Sequence, residues 1–167
     1  MNPSNQPSSC GRRAILGCIL PIPGYAHEVA WLILERILPM SMVPSCPFCA
    51  LAAERIVHRT EHFCAIRDAF PVAPGHTLLI PRRHVVSLFD VTVVEWVELG
   101  QLLAEARAAL RSEFQPDGFN VGVNDGAVAG QTVRHLHVHL IPRYRGDCSD
   151  PRGGVRWILP EKARYWP

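Results

Sequence analysis

Three histidines at alternate positions, His135, His137 and His139, interleave with Leu136, Val138 and Leu140. Alternation with period two is the pattern of a half-buried strand. One face would be apolar and the other would carry imidazoles roughly 6.6–6.8 Å apart. The chain has only 8 histidines, so three in one register is a selective arrangement. Imidazole changes charge near neutral pH, and such a row can attack, pass protons or bind metal. A solvated strand face is the bland alternative. Two histidines at i and i+2 can share one metal, as in strand-borne zinc hydrolases. Alternatively, the middle histidine is a nucleophile on phosphorus. Gly130-Gln131-Thr132, just upstream, favours this second chemistry. A glycine, an amide and a hydroxyl in one turn can aim backbone N–H groups at an oxyanion. Attack on phosphorus needs a nucleophile together with donors for the charge that builds up. A catalytic metal would want a carboxylate beside the row, and none adjoins it.

A second constellation is Cys46-Pro47-Phe48-Cys49. A Cys-x-x-Cys pair can be a redox couple, half of a zinc site, or two small apolar residues. A redox pair belongs at a strand-to-helix junction in a thioredoxin-like unit, which the pattern lacks. Zinc needs two further ligands, and His84 and His135 are the candidates. Cys10, Cys18, Cys64 and Cys148 have no ligand spacing; Cys64 falls in an expected strand.

The elements that must position these groups can be read from periodicity. Phe63 to Asp68 and Thr77 to Ile80 read as strands, joined through Pro71, Pro74 and Gly75. Thr92 and Glu95 form a capping-box pattern. Trp96, Leu99, Leu103, Ala106 and Leu110 then recur at helical spacing as a buried stripe. Pro116-Asp117-Gly118 ends that helix. Phe119 to Val123 and Val133 to Ile141 read as the last two strands. The order favours an α+β fold: an antiparallel sheet with one long helix packed across it.

The chain divides into an N-terminal extension (1–44), a catalytic domain (45–143) and a C-terminal arm (144–167). The extension holds an apolar run from Ala14 to Tyr25, broken by Pro21 and Pro23, and a short helical pattern from Ala26 to Leu38. Arg12-Arg13 before an apolar run resembles a secretory signal. The prolines interrupt that run, no small-residue cleavage site follows, and it is too short to span a bilayer. The leading expectation is that Met40 or Met42 is the true start. A net charge of +2 makes no strong case for nucleic acid or a membrane surface. A cytoplasmic location is expected, where disulfides are rare.

Together, Val123-Asn124-Asp125-Gly126, Ala129-Gly130-Gln131-Thr132-Val133 and His135-x-His137-x-His139-Leu-Ile-Pro-Arg143 resemble the signature of the histidine triad (HIT) nucleotide hydrolases and transferases. Phe63-Cys64-Ala65-Ile66-Arg67-Asp68 and Pro74-Gly75-His76-Thr77 resemble the first half of that fold. The core motif is most similar to the fragile-histidine-triad branch, which cleaves dinucleoside polyphosphates. The resemblance implies a sheet of about five strands and one helix, usually doubled into a homodimer. It implies that His137 attacks the α-phosphorus of an adenine nucleotide derivative, a polyphosphate or a phosphoramidate, and forms a nucleotidyl-histidine. It further implies that His139 handles the leaving-group proton and that Asp68 binds the ribose hydroxyls. His76, Asn124, Gly130, Gln131 and Thr132 would lie around the phosphates. Cys46, Cys49, His84 and His135 match a structural zinc set found in some relatives, a departure from the fragile branch. Nucleotidyl transfer to another acceptor and a non-catalytic nucleotide-binding role are the alternatives. Phe48, Phe63 and Trp166 are candidates for a base pocket, with core packing the better reading for the first two. The arm's arginines could reach distal phosphates or pack on a partner subunit.

Overall fold

The described residues contain five strands: β1 (Ile56–Arg59), β2 (Phe63–Arg67), β3 (Thr77–Pro81), β4 (Gly118–Gly122) and β5 (Val138–Arg143). They form one antiparallel sheet in the order β1-β2-β3-β5-β4. This is a computed structural model, and it describes residues 46–166. The expectations for the extension, including the start at Met40 or Met42, lie outside the described residues. β1 is the strand that periodicity does not reveal. Its four residues are mostly exposed, so no apolar alternation marks it.

The helix α1 (Val93–Phe114) begins with the expected capping box. Thr92 Oγ1 accepts from the Glu95 amide, and a Glu95 carboxylate oxygen accepts from the Thr92 amide at 2.6 Å. The stripe differs from the expected one. Glu95, Leu99, Leu102 and Leu110 are buried, Leu103 and Ala106 flank them, and Trp96 is 46% exposed. A carboxylate takes the inward position at the first turn because it is fully matched. Arg83 donates to it through Nε and Nη2 at 2.5 and 2.8 Å. The Arg83 guanidinium, aided by the Thr92 bonds, outweighs burial and holds the Glu95 carboxyl down to about 2. Trp96, the next residue along the helix, is carried away from the core by one residue's rotation.

The sheet buries both faces, by period two. On one side Phe63, Ala65, Leu79 and Val138 pack with Leu99 and Leu102 of α1. On the other, Cys64, Ile66, Leu78 and Ile80 carry Phe48, Leu51 and Ile56. His139 pairs with Leu78, so it belongs to the second face, away from the helix. Two fasteners tie α1 to the sheet. Glu98 accepts from the Thr60 hydroxyl and from the His62 amide and ring at the β1–β2 turn. Burial works against the Glu98 charge, but these bonds prevail and hold the carboxyl at about 2. Gly75 sits at φ +82°, and a Cβ there would lie 2.9 Å from Leu110 Cδ2. The left-handed backbone favours glycine there, and a side chain would also push aside the Leu110 and Phe114 side chains.

The last strand is shorter than the alternation implies. Residues 133–135 bend, with the His135 amide donating to the Val133 carbonyl at 2.8 Å, 136 and 137 are irregular, and β5 starts at Val138. The β3 ladder to β5 stops at Leu79–Val138. Beyond it Pro81 has no N–H to offer, and Leu136 donates its amide to Val85 instead, at 2.7 Å. Of the three histidines, only His139 is a strand residue. His135 and His137 are buried on the approach to the strand rather than displayed on its face.

Candidate active site

The three histidines carry different neighbours. His135 is fully buried, and its Nε2–H donates to the Pro81 carbonyl at 2.8 Å. That bond leaves the Nδ1 lone pair facing two sulfurs, Cys46 Sγ at 3.3 Å and Cys49 Sγ at 3.5 Å. Cys49 Sγ also lies 3.2 Å from Nδ1 of His84. The four ligand atoms fall within 4.8 Å of one another. A tetrahedral zinc held by two thiolates and two imidazoles has sulfur-to-nitrogen edges of about 3.5 Å. The donor set therefore fits zinc in number, softness and spacing. The Pro81 bond is the outer contact that commonly fixes a ligating imidazole. Burial, then the Cys46 sulfur, pushes the Cys49 thiol up from its ordinary 9.0. A bound cation is what would convert such a thiol to thiolate.

His139 belongs to the opposite cluster. Its Nδ1 lies 3.0 Å from Nε2 of His76, and His76 Nδ1 lies 3.3 Å from Asp68 Oδ2. The Asp68 Oδ1 atom accepts from the Phe70 amide at 2.9 Å, which closes the turn after β2. Burial lowers the pKa of both His76 and His139, against the pull of Asp68. Both rings are then neutral near pH 7, and one proton lies between the two facing nitrogens. With its Nδ1 proton donated to Asp68, His76 accepts from His139 Nδ1; with that proton on Nε2, His76 Nδ1 accepts from the Val72 amide at 3.4 Å, Nε2–H donates to His139 Nδ1, and His139 carries its own proton at Nε2.

His137 stands between the clusters. Its Nδ1–H donates to the His135 carbonyl at 2.8 Å, so Nε2 carries the lone pair. Its ring meets His139 at 5.1 Å and Phe48 at 5.3 Å, both edge-on.

The loop between β4 and these histidines is clamped at both ends. Gly126 and Gly130 take φ +89° and +90°. A Cβ on Gly130 would meet the Asn124 amide at 3.8 Å, so these two residues are neighbours. Gln131 is buried, its Oε1 accepting from the Gly126 amide and its Nε2 donating to the Val86 carbonyl. Its carboxamide thus shapes the loop, while Thr132 is exposed beside it. Asp125 completes the clamp by accepting from Ser87 Oγ at 2.8 Å and the Leu88 amide at 2.9 Å. In the sequence Asn124-Asp125-Gly126 reads only as a turn or a phosphate contact; no local pattern announces a partner 38 residues away.

A HIT domain model matches residues 51–146. The chain belongs to the HIT family. A HIT-like protein of 16.1 kDa from Mycoplasma pneumoniae is 43% identical over 116 residues, covering 65% of this chain and 80% of that one. A bis(5'-nucleosyl)-tetraphosphatase [asymmetrical] from Schizosaccharomyces pombe is 38% identical over 96 residues, covering 58% of this chain and 53% of that protein. The chain thus spans about half the length of that enzyme. Among solved structures, a zinc-bound histidine triad protein from Mycobacterium smegmatis superposes with a TM-score of 0.56 at 34% identity, over 70% of this chain and 91% of that one.

In this HIT chain the residues singled out by sequence meet in three groups: Cys46, Cys49, His84 and His135; Asp68, His76 and His139; and the loop of Asn124, Gly130, Gln131 and Thr132 preceding His137. The other aromatic candidates divide. Phe63 is core, Phe48 meets the His137 ring, and Trp166 lies 4.7 Å under the Arg152 guanidinium within the arm. Arg143, Arg152 and Arg156 are engaged by Asp147, Asp150 and the Ala163 carbonyl.

Proposed function

We propose that this HIT protein hydrolyses adenine nucleotide derivatives at the α-phosphate, with a dinucleoside polyphosphate as the first class of substrate and a phosphoramidate as the second. The observation that carries it is the His137 tautomer: with Nδ1–H bound to the His135 carbonyl, Nε2 is the nucleophilic atom. Nε2 attacks phosphorus, an N–P bond forms, and the P–O or P–N bond to the leaving group breaks. The leaving group takes the Nε2 proton of His139, in the state where His76 Nε2–H donates to His139 Nδ1, and His139 regains a proton from the water that follows. Water then adds to the nucleotidyl-histidine, the N–P bond breaks, and the nucleoside monophosphate departs. Asp68 orients His76, and His76 orients His139. Asp68 is also the residue to accept the ribose hydroxyls. Thr132, Gly130 and Asn124 hold phosphate oxygens, and Gln131 fixes the loop that presents them.

Cys46, Cys49, His84 and His135 would hold a structural zinc, which supplies cross-linking and no open coordination position. Residues 45–143 carry the chemistry and 144–167 form the arm. A homodimer is the working assembly, since among the described residues β4 is an edge strand with β5 as its one neighbour. The free Cys46, Cys49, Cys64 and Cys148 fit the reducing cytoplasm. The names of relatives such as the fission yeast tetraphosphatase support the substrate class.

The test is AMP release from diadenosine tri- and tetraphosphate and from adenosine 5′-phosphoramidate, together with alkaline quench and mass spectrometry of the nucleotidyl adduct. Release should be abolished in His137→Ala, with the adduct on His137 in the wild type. Turnover persisting in His137→Ala, or AMP binding without cleavage, would overturn the reading.

A further inference from the structure

Phe48 lies between the two cysteines, and no catalytic step above uses it. Its ring stands edge-on to two imidazoles, 5.3 Å from that of His137 at 65° and 5.8 Å from that of His135 at 80°. Edge-to-face contacts are directional and favour one ring orientation over its neighbours. The His137 ring is therefore held by a hydrogen bond at Nδ1, by His139 and by Phe48. The first two holds come from β5 and the segment leading into it. Phe48 comes from a turn that is neither strand nor helix. Two backbone bonds close that turn, from the Cys49 and Ala50 amides to the Cys46 carbonyl. Its other anchors are the Phe48 contacts to the Cys64 cluster and the sulfurs at His135 and His84.

We propose that Phe48 is a positioning residue for His137, and that the Cys46, Cys49, His84 and His135 cluster acts on the nucleophile through it. The proposal rests on His137 as nucleophile and on zinc in the cluster. With the cluster closed, Phe48 restricts the His137 ring to the orientation in which Nδ1–H reaches the His135 carbonyl. With the cluster open, the turn loses its sulfur anchors and the ring loses a wall. In-line attack tolerates little angular error, so the loss falls on rate rather than on nucleotide affinity.

The experiment uses the full zinc-loaded chain with Phe48→Ala, Phe48→Leu, Cys49→Ser and the Phe48→Ala/Cys49→Ser double variant. Bound zinc, long-range proton–nitrogen spectra of the His137 ring, AMP affinity by calorimetry, and kcat and KM for diadenosine tetraphosphate are measured on each. Phe48→Ala should keep its zinc, lower kcat roughly tenfold, leave KM and AMP affinity within about twofold, and average the His137 nitrogen signals between tautomers. Phe48→Leu should fall between it and the wild type. Cys49→Ser should lose zinc and reproduce the kinetic and spectral change. The double variant should be no slower than the slower single variant, because the route is shared. Unchanged kcat and spectrum in Phe48→Ala would overturn the proposal, as would effects that multiply in the double variant. Loss of zinc from Phe48→Ala would reverse its direction and overturn it too. A wild type that holds no zinc overturns the metal reading and the second half of the proposal; the Phe48→Ala spectrum then decides the first half. A wild type without turnover overturns the hydrolase reading, and the spectrum still decides whether Phe48 sets the ring.

Discussion

Two clusters flank His137, and each contains histidines brought from distant parts of the chain. In one, His84 and His135 turn nitrogen lone pairs toward sulfur. In the other, His76 and His139 face each other at 3.0 Å with a carboxylate behind. The residue type is the same and the tasks differ, because the neighbour decides what an imidazole nitrogen can do. Opposite thiols, a lone pair completes a donor set that could hold a metal ion. Opposite another imidazole, it has a proton to pass. On the proposed function the first cluster stays fixed and the second changes state.

The sharpest way to break that contrast is to remove one member of each cluster and read both rate and stability. His139→Ala should lower kcat by about 10²–10⁴-fold, the range for a proton-transfer group, with zinc content unchanged. A variant that instead lost zinc would erase the distinction. Cys46→Ser should do the reverse in stability. Loss of the cross-link should lower stability by about 3 kcal/mol or more, a fall of roughly 6–12 °C in melting temperature. Chelation of the wild type should match it, and a chelated protein that melts unchanged would mean the cluster holds no metal. Asp125→Ala releases the clamp on Ser87 and Leu88. It should cost about 1–2 kcal/mol of stability and raise KM for nucleotide while both clusters remain intact. Wild-type KM in that variant would separate the clamp from the phosphate loop.

The smallest effect concerns pH. Burial lowers the pKa of His76 and His139 below the ordinary 6.5. Such groups contribute stability that is complete above pH 6.5 and declines as pH falls toward their folded values. His62 has the opposite sign. Its hydrogen bond to Glu98 raises its pKa, so its contribution is complete below 6.5 and fades as pH rises through the raised value. The carboxyls of Glu95 and Glu98, held at about 2, matter only as pH falls from 4.5 toward that value. Melting temperature should therefore decline by a few degrees from pH 6.5 to about pH 5, and His76→Gln should flatten part of that slope. An identical slope in His76→Gln would show that the relay is not what titrates.

The strong local signals are legible in the residues themselves. The capping box at Thr92 and Glu95, the two apolar strands β2 and β3, and the α+β layout follow from spacing and period alone. Three features of the fold depart from the local pattern for physical reasons. Trp96 has the spacing of a core residue, but an Arg83-paired carboxylate takes the inward position. Residues 133–137 alternate like a strand, yet Pro81 ends the ladder they would join. β1 has too few buried side chains to leave a pattern. At the site, motif spacing marks the residues that meet, while the long-range ties leave no local trace. Asp125 to Ser87, Gln131 to Val86 and Phe48 to His137 depend on where loops land, which no local period encodes.

The sheet order has a consequence for how the molecule is made. β5 is the last strand in the chain, yet it lies between β3 and β4. Until it is synthesised, β3 has one edge of unpaired backbone N–H and C=O groups, and β4 has no strand neighbour. The Cys46 to His135 contact spans 89 positions, and contacts so distant in sequence form late and slowly. Insertion of one segment therefore closes the sheet and delivers His139, with His137 and His135 just ahead of it. During synthesis, catalytic competence and protection from edge-to-edge aggregation arrive in the same event.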